Sequence, residues 1–295
     1  MYQYINVKTI LNKTKKRDSH FLDDYTLNPY SACSFNCTYC YIRGSKFGTN
    51  MAEKLSVKQN AAELLDKALA NRAKKNQYGI IVMSSATDPY LQIEKETQHT
   101  RTLLEIILKH KFPLHIITKS DLVIRDFDLL QKINSTAILP NDLKEKLANK
   151  LFITFSFSTT DDAKGKIFEP GAPLPSIRLK ALKTAVDYGF HSGVSLMPLL
   201  PYITDTKLHL DEMFQQFKNA GAKYLFPSTI TLFGNEPFSG RVLTMNAVAK
   251  HFPEVLSKYQ KYLINDDGMP TFYREAFGKK MKQMCEEYKF KNSLF

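Results

Sequence analysis

Between residues 26 and 235, short apolar runs alternate with stretches of helical periodicity. The first run is TLNPYSAC. After it, VKQNAAELLDKALANRAKKN sets Ala61, Leu64, Leu65, Ala68 and Leu69 on one helical face, and YGIIVMSS reads as a buried strand. The helical stretches ETQHTRTLLEIILKHK and IRDFDLLQKI flank the strand LHIITKS. Residues 134–150 form a polar excursion with further helix, and LFITFSFS then alternates Phe with small polar residues, as a strand does. A helix over 176–188, the strand HSGVSLMPL, a helix over 206–220 and the strand AKYLFPSTITLF complete the series.

Strand and helix alternating six times predict an α/β fold, an incomplete (βα)6 barrel open on one side. In parallel barrels the chemistry sits at the C-terminal ends of the strands. Residues 1–25 read as an N-terminal extension, 26–235 as the partial barrel and 236–295 as a helical C-terminal region, with a turn over Asn265 to Pro270. No internal repeat accompanies the alternation.

Composition narrows the class. A chain of 295 residues that is 43% hydrophobic and 24% charged is neither disordered nor fibrous. No apolar run approaches the roughly 20 residues of a membrane helix. The start, MYQYINVKTILNKTKKRD, lacks the basic-then-apolar order of a secretory signal, so a cytoplasmic setting with reduced cysteines and no membrane partner is expected. The net charge of +12 raises nucleic acid as a partner. However, 33 of the 41 basic residues are Lys, whereas specific phosphate and base reading favours the bidentate guanidinium, so a solvated Lys-rich face is the other reading.

Three of the four cysteines, Cys33, Cys37 and Cys40, form C-x3-C-x2-C in the loop NPYSACSFNCTYCYIRG. Three clustered thiolates can hold three corners of an iron-sulfur cubane, leaving one iron open to a substrate or cofactor. The competing reading is zinc, which as a closed structural site needs a fourth ligand; no second cysteine pair exists, and only His20 or His99 could serve. Cys285 reads as a small apolar residue on the helix KKMKQMCEEY.

The cysteine spacing, with Tyr39 just before the last cysteine at the start of a βα barrel, resembles the radical S-adenosylmethionine (radical SAM) superfamily. Five segments together resemble the spore photoproduct lyase-like family, often labelled DNA repair photolyases. They are N-P-Y-x-x-C-x-x-x-C-x-Y-C-Y from Asn28 to Tyr41, A-T-D-P-Y from Ala86, T-K-S from Thr118, E-P-G-A-P from Glu169 with Arg178, and M-P-L-L-P-Y-I-T-D from Met197. The resemblance covers about residues 6–235 in the expected order.

It implies a barrel of the radical SAM type with one four-iron four-sulfur (4Fe-4S) cluster on Cys33, Cys37 and Cys40. The open iron would chelate S-adenosyl-L-methionine, which is reductively cleaved to methionine and a 5'-deoxyadenosyl radical. One spare cysteine cannot build an auxiliary cluster. A reductant such as flavodoxin or ferredoxin is implied as partner.

The resemblance also implies cofactor contacts. Tyr39 would lie beside the adenine, its alternative being loop packing. Thr87 and Asp88 would meet the methionyl amino group, although Asp88 before Pro89 is equally a turn. Lys119, at the end of the third strand, would take the methionyl carboxylate. Ser156 and Ser158 share one face of the fourth strand and suit the ribose hydroxyls, with the choice between them open. Glu169 and Arg178 read as an ion pair or as ligand contacts.

Photoproduct lyases proper carry a cysteine as hydrogen donor two residues before the Thr or Ser after strand two; Ser85 stands there, and a serine O–H is a far poorer hydrogen-atom donor. The family's frequent Y-Q-P-x-E is Tyr90-Leu91-Gln92-Ile93-Glu94 in this chain. The reading is therefore a radical SAM enzyme of unassigned substrate. Repair or modification of nucleic acid, suggested by the charge and by the basic tail from Lys279 to Lys291, is one alternative; a nucleic-acid-binding protein with a structural metal is another.

Overall fold

The computed structural model describes residues 2–44, 55–263 and 268–295. Residues 265–267 of the expected turn lie outside these. The elements run β1 (Gln3–Ile5), β2 (Leu11–Lys13), β3 (Tyr25–Leu27), β4 (Tyr30–Ser31), β5 (Ser56–Lys58), α1 (Ala61–Lys74), β6 (Ile81–Met83), α2 (Glu94–Thr97), α3 (His99–Lys109) and β7 (Leu114–Thr118). They continue with α4 (Phe127–Thr136), β8 (Leu151–Phe157), α5 (Asp162–Phe168), α6 (Pro175–Asp187), β9 (His191–Leu199), α7 (Lys207–Asn219), β10 (Leu225–Thr229), α8 (Gly240–His251), α9 (Leu256–Tyr262) and α10 (Thr271–Tyr288).

The main sheet has the order β10-β9-β8-β7-β6-β3-β2. Its six strands from β3 to β10 are parallel, as the alternation predicts, and β2 joins antiparallel to β3 at one edge. β2 is three residues long, too short for its pattern to be legible. A small sheet, β1-β5-β4, leads into the cysteine loop. Among the described residues no helix is long and apolar enough to cross a membrane.

The pleat of β8 sorts the layers. Leu151, Ile153, Phe155 and Phe157 join the core beneath the helices, with Leu103, Leu182, Phe214 and Phe217. The alternate positions, Phe152, Thr154, Ser156 and Ser158, face inward. The N-terminal half of that inner face is filled: Phe152 packs with Leu22, Val82, Tyr224 and Phe226. His115 is held there by the Phe21 carbonyl at 2.9 Å and Thr154 Oγ1 at 2.6 Å, and burial pushes its pKa down to about 4, so it is neutral at pH 7.

Two regions differ from the sequence expectation. The single helix expected over 96–111 is broken at Gln98, whose φ of +46° is left-handed, because the buried carboxylate of Glu94 draws the Thr100 amide to 2.6 Å. The polar excursion after α4 carries Leu139, Leu143 and Leu147, which turn inward and complete the fill of the barrel floor.

The C-terminal region closes on the barrel. Met281, Met284 and Cys285 of α10 enter the main core. Beyond α10, Leu225 N donates to the Lys291 carbonyl at 2.9 Å on the β10 edge. Asp205, after β9, accepts from Tyr202 N at 2.5 Å and from the Tyr273 hydroxyl of α10, while Lys280 of α10 donates to the Asp205 carbonyl at 3.0 Å.

Burial lifts the Asp205 carboxyl to about 6 from its ordinary 3.8. A raised carboxyl pKa gives stability that is present below the ordinary value and lost as pH rises through the folded one. Between about pH 4 and about pH 7 wild type should therefore lose about 2 to 3 kcal/mol relative to Asp205→Asn. Parallel stability-against-pH curves for the two proteins would refute this.

Candidate active site

A cavity of about 510 Å³ opens at the C-terminal ends of the strands, and Cys33, Cys37 and Cys40 all line it. Their loop follows β4 and is made of consecutive turns: Asn36 N donates to the Cys33 carbonyl, Cys40 N to that of Cys37, and Arg43 N to that of Cys40. Ala32 and Asn36 take left-handed φ values of +65° and +52°, so neither strand nor helix continues through the loop.

A second segment, 168–171, clamps the loop from outside. Thr38 N donates to the Phe168 carbonyl at 2.8 Å and Gly171 N to that of Phe35 at 3.0 Å. A Cβ on Gly171 would lie 2.2 Å from the Ser34 carbonyl oxygen, so only glycine permits this approach. The start of α8 approaches from another side, where a Cβ on Gly240 would stand 3.2 Å from the Cys40 carbonyl oxygen.

All four cysteines are free thiols. Burial pushes Cys33 up to about 12 and raises Cys37 and Cys40 as well, while Lys119 across the cavity pulls the last two back down. A thiol this dry resists ionising alone, and a metal that replaces its proton removes the penalty. Among the described residues no group of three or more His, Cys, Asp or Glu side chains is arranged to hold a single metal ion. His20 is exposed and His99 packs against Tyr30, and neither lines the cavity. The donor set therefore lacks the fourth ligand of a closed zinc site, and it fits a three-thiolate cubane with one open corner.

Lys119 follows β7 and lines the cavity, with its Nζ donating to Ser156 Oγ at 2.8 Å and standing 6.0 Å from the centre of the Tyr39 ring. Asp88 also touches the cavity, yet its oxygens are taken: Oδ1 accepts from Tyr90 N at 2.9 Å and Thr118 Oγ1 at 2.7 Å, and Oδ2 from Lys119 N at 2.7 Å. It fixes the backbone that carries Lys119. Thr87 lines the same wall with its hydroxyl directed to the Tyr30 carbonyl at 3.4 Å. Of the two serines, Ser156 lines the cavity, whereas Ser158 is fully buried and donates to Glu169 Oε1 at 2.9 Å.

Glu169 and Arg178 meet as an ion pair with side chains 0% and 1% exposed. Glu169 also accepts from the Tyr39 hydroxyl, and Arg178 donates to the carbonyls of Pro173 and Ser156, each at 2.9 Å. Burial alone would raise the Glu169 carboxyl, but Arg178 and Lys119 outweigh it and hold it below the usual range. Tyr39 is thereby fixed by its hydroxyl, with its ring along the cavity wall.

Sequence reasoning assigned no role to Asn28 or Arg43. Asn28 Oδ1 accepts from Ala86 N at 2.9 Å and its Nδ2 donates to Ser85 Oγ at 2.9 Å, tying the cysteine-loop strand to the loop after β6. Its place in N-P-Y was the available signal. Arg43 is 1% exposed beneath the loop. Ser84, Ser85, Ser195, Ser228, Thr229 and Thr231 line the rest of the cavity, reached from separate strand ends that no single motif spans.

The family model described as the Radical SAM superfamily matches residues 27–212. An uncharacterized protein of Mycobacterium tuberculosis is 26% identical over 272 residues, covering 90% of this chain and 74% of that one. An uncharacterized protein of Methanocaldococcus jannaschii is 30% identical over 211 residues, covering 70% and 71%. Among solved structures, a variant of spore photoproduct lyase superposes with a TM-score of 0.66 at 14% identity, over 97% of this chain and 78% of that one. Spore photoproduct lyase complexed with dinucleoside spore photoproduct gives 0.62 at 16% identity over the same shares.

Proposed function

The chain belongs to the radical SAM superfamily, whose members use a four-iron four-sulfur cluster and S-adenosylmethionine, and on that premise we propose that Cys33, Cys37 and Cys40 hold the cluster. The observation that carries the reading is the meeting of three free thiols and one lysine around a single cavity at the strand ends. Cluster and cofactor together supply one-electron reductive cleavage of a sulfonium, the superfamily's source of a 5'-deoxyadenosyl radical.

The chain's own residues would bind and orient. Lys119 presents its ammonium to the methionyl carboxylate, held in place by Ser156 and by Asp88 beneath its backbone. Thr87 faces the methionyl amino group, while Asp88, its oxygens engaged, acts through Lys119. Tyr39 offers a fixed ring for the adenine, and Ser156 serves the ribose ahead of Ser158, whose hydroxyl belongs to Glu169. Floor and clamps cover the thiols on every side but the cavity, where Cys33 and Cys40 stay partly exposed.

Anaerobic incubation with dithionite and S-adenosylmethionine should release 5'-deoxyadenosine and methionine; no release from protein holding about four irons per chain would defeat the reading. Lys119→Met should weaken S-adenosylmethionine binding by about 1.5 to 3 kcal/mol with iron content unchanged. Equal affinity in calorimetry would remove Lys119 from the site. The electron donor is proposed to be a flavodoxin or ferredoxin.

Repair or modification of nucleic acid is the second reading, favoured by the net charge of +12 and by exposed Lys279, Lys282, Lys289 and Lys291. Two observations oppose photoproduct repair. The donor cysteine's place is taken by Ser85, and the only thiol outside the triad, Cys285, is buried in the core. Moreover, the charged lining of the cavity among the described residues is Lys119 with Asp18, Asp23 and Asp88, so a phosphate inside would meet carboxylates.

A further inference from the structure

Two arginines are fully buried, and they differ in what balances them. Arg178 faces Glu169. Among the described residues Arg43 has neutral acceptors: the Cys37 carbonyl at 3.0 Å from Nε, the Phe238 carbonyl at 3.3 Å from one terminal nitrogen, and the Asn36 side-chain oxygen. Among the described residues no carboxylate pairs with it. A guanidinium stays charged even when buried, and a buried charge without a counter-charge is strongly unfavourable.

The imbalance lies against the backbone of the cysteine loop, since the Arg43 side chain donates to the Cys37 carbonyl and the Arg43 amide to the Cys40 carbonyl. A cubane of core charge two-plus on three thiolates is a monoanion, and it becomes a dianion when it accepts one electron. We propose that the buried Arg43 guanidinium is the counter-charge of the loaded cysteine loop, favouring the reduced state over the oxidised one. Its partner is the cluster rather than any carboxylate among the described residues, so the inference rests on the cluster assignment above. Hydrogen bonds to three neutral acceptors then aim a fixed positive charge, as well as shaping the turn.

The test is a potentiometric titration of the reconstituted proteins followed by electron paramagnetic resonance. Wild-type iron content is the control. Arg43→Met, at full iron content, should show at least a tenfold smaller ratio of reduced to oxidised cluster at fixed potential, equivalent to about 59 mV more negative. An unchanged potential at full iron content overturns the proposal while leaving the cluster assignment intact. Wild type that takes up no iron overturns both. If Arg43→Met takes up no iron, Arg43→Lys decides: loading restored by a bare positive charge supports the counter-charge, and loading still absent shows that the guanidinium serves only as a hydrogen-bonded scaffold.

Discussion

Replacing Cys33, Cys37 or Cys40 by alanine should abolish the cluster: about four irons and four sulfides per chain in reconstituted wild type, and close to none in any of the three variants. Release of 5'-deoxyadenosine should fall to background with it. The loop gives a reason for so large an effect. Each thiol lines the same cavity from a different turn, and among the described residues the carboxylate nearest Cys33, that of Asp88, has both oxygens engaged by Tyr90, Thr118 and Lys119. Cys285→Ala is the matched control. That thiol sits among Met281 and Met284 in the core, so its loss should cost about 1 kcal/mol of stability and no iron. Iron retained in a triad variant but lost with Cys285→Ala would reverse the assignment, and one zinc per chain without sulfide would replace the cluster altogether.

Arg178→Met should produce the largest loss of stability, about 3 to 5 kcal/mol, because it strands a carboxylate that is 0% exposed. For a chain of this size that is a fall of roughly 10 °C in melting temperature. The damage should spread along the hydrogen bonds. Arg178 holds the Ser156 carbonyl, Ser156 Oγ holds Lys119, and Glu169 holds Tyr39, so cofactor affinity should weaken without any contact residue being changed. Removing both charges, as Arg178→Met with Glu169→Leu, should recover much of the stability, since a buried pair replaced by apolar side chains is often near neutral. A double variant as unstable as the sum of the two singles would show that the charges are independent.

Six parallel strands were legible because each is an apolar run bounded by polar turns, and the strand ends at Lys119 and Ser156 follow from that register. The cysteine triad was legible because thiolate spacing is local. What escaped was set by tertiary contact. Whether Ser156 or Ser158 reaches the cavity depends on the position of Glu169, eleven residues beyond Ser158 at the far end of α5. Asp88 reads equally as a turn and as a ligand until Thr118 and Lys119 are seen to occupy its oxygens. Leu139, Leu143 and Leu147 sit in a polar stretch, and only the unfilled barrel floor explains their inward turn.

Gly171 shows that a recurring phrase need not mark chemistry. In E-P-G-A-P the glycine carries no functional group; it is required because the Ser34 carbonyl oxygen occupies the space of its Cβ. Over evolutionary time that contact would act as a ratchet. Drift at position 171 is blocked whatever the substrate becomes, whereas the serines and threonines at the far strand ends can change one at a time. A lineage could therefore alter what it acts on repeatedly while this glycine stays fixed, so the phrase would record ancestry of the scaffold rather than a shared reaction.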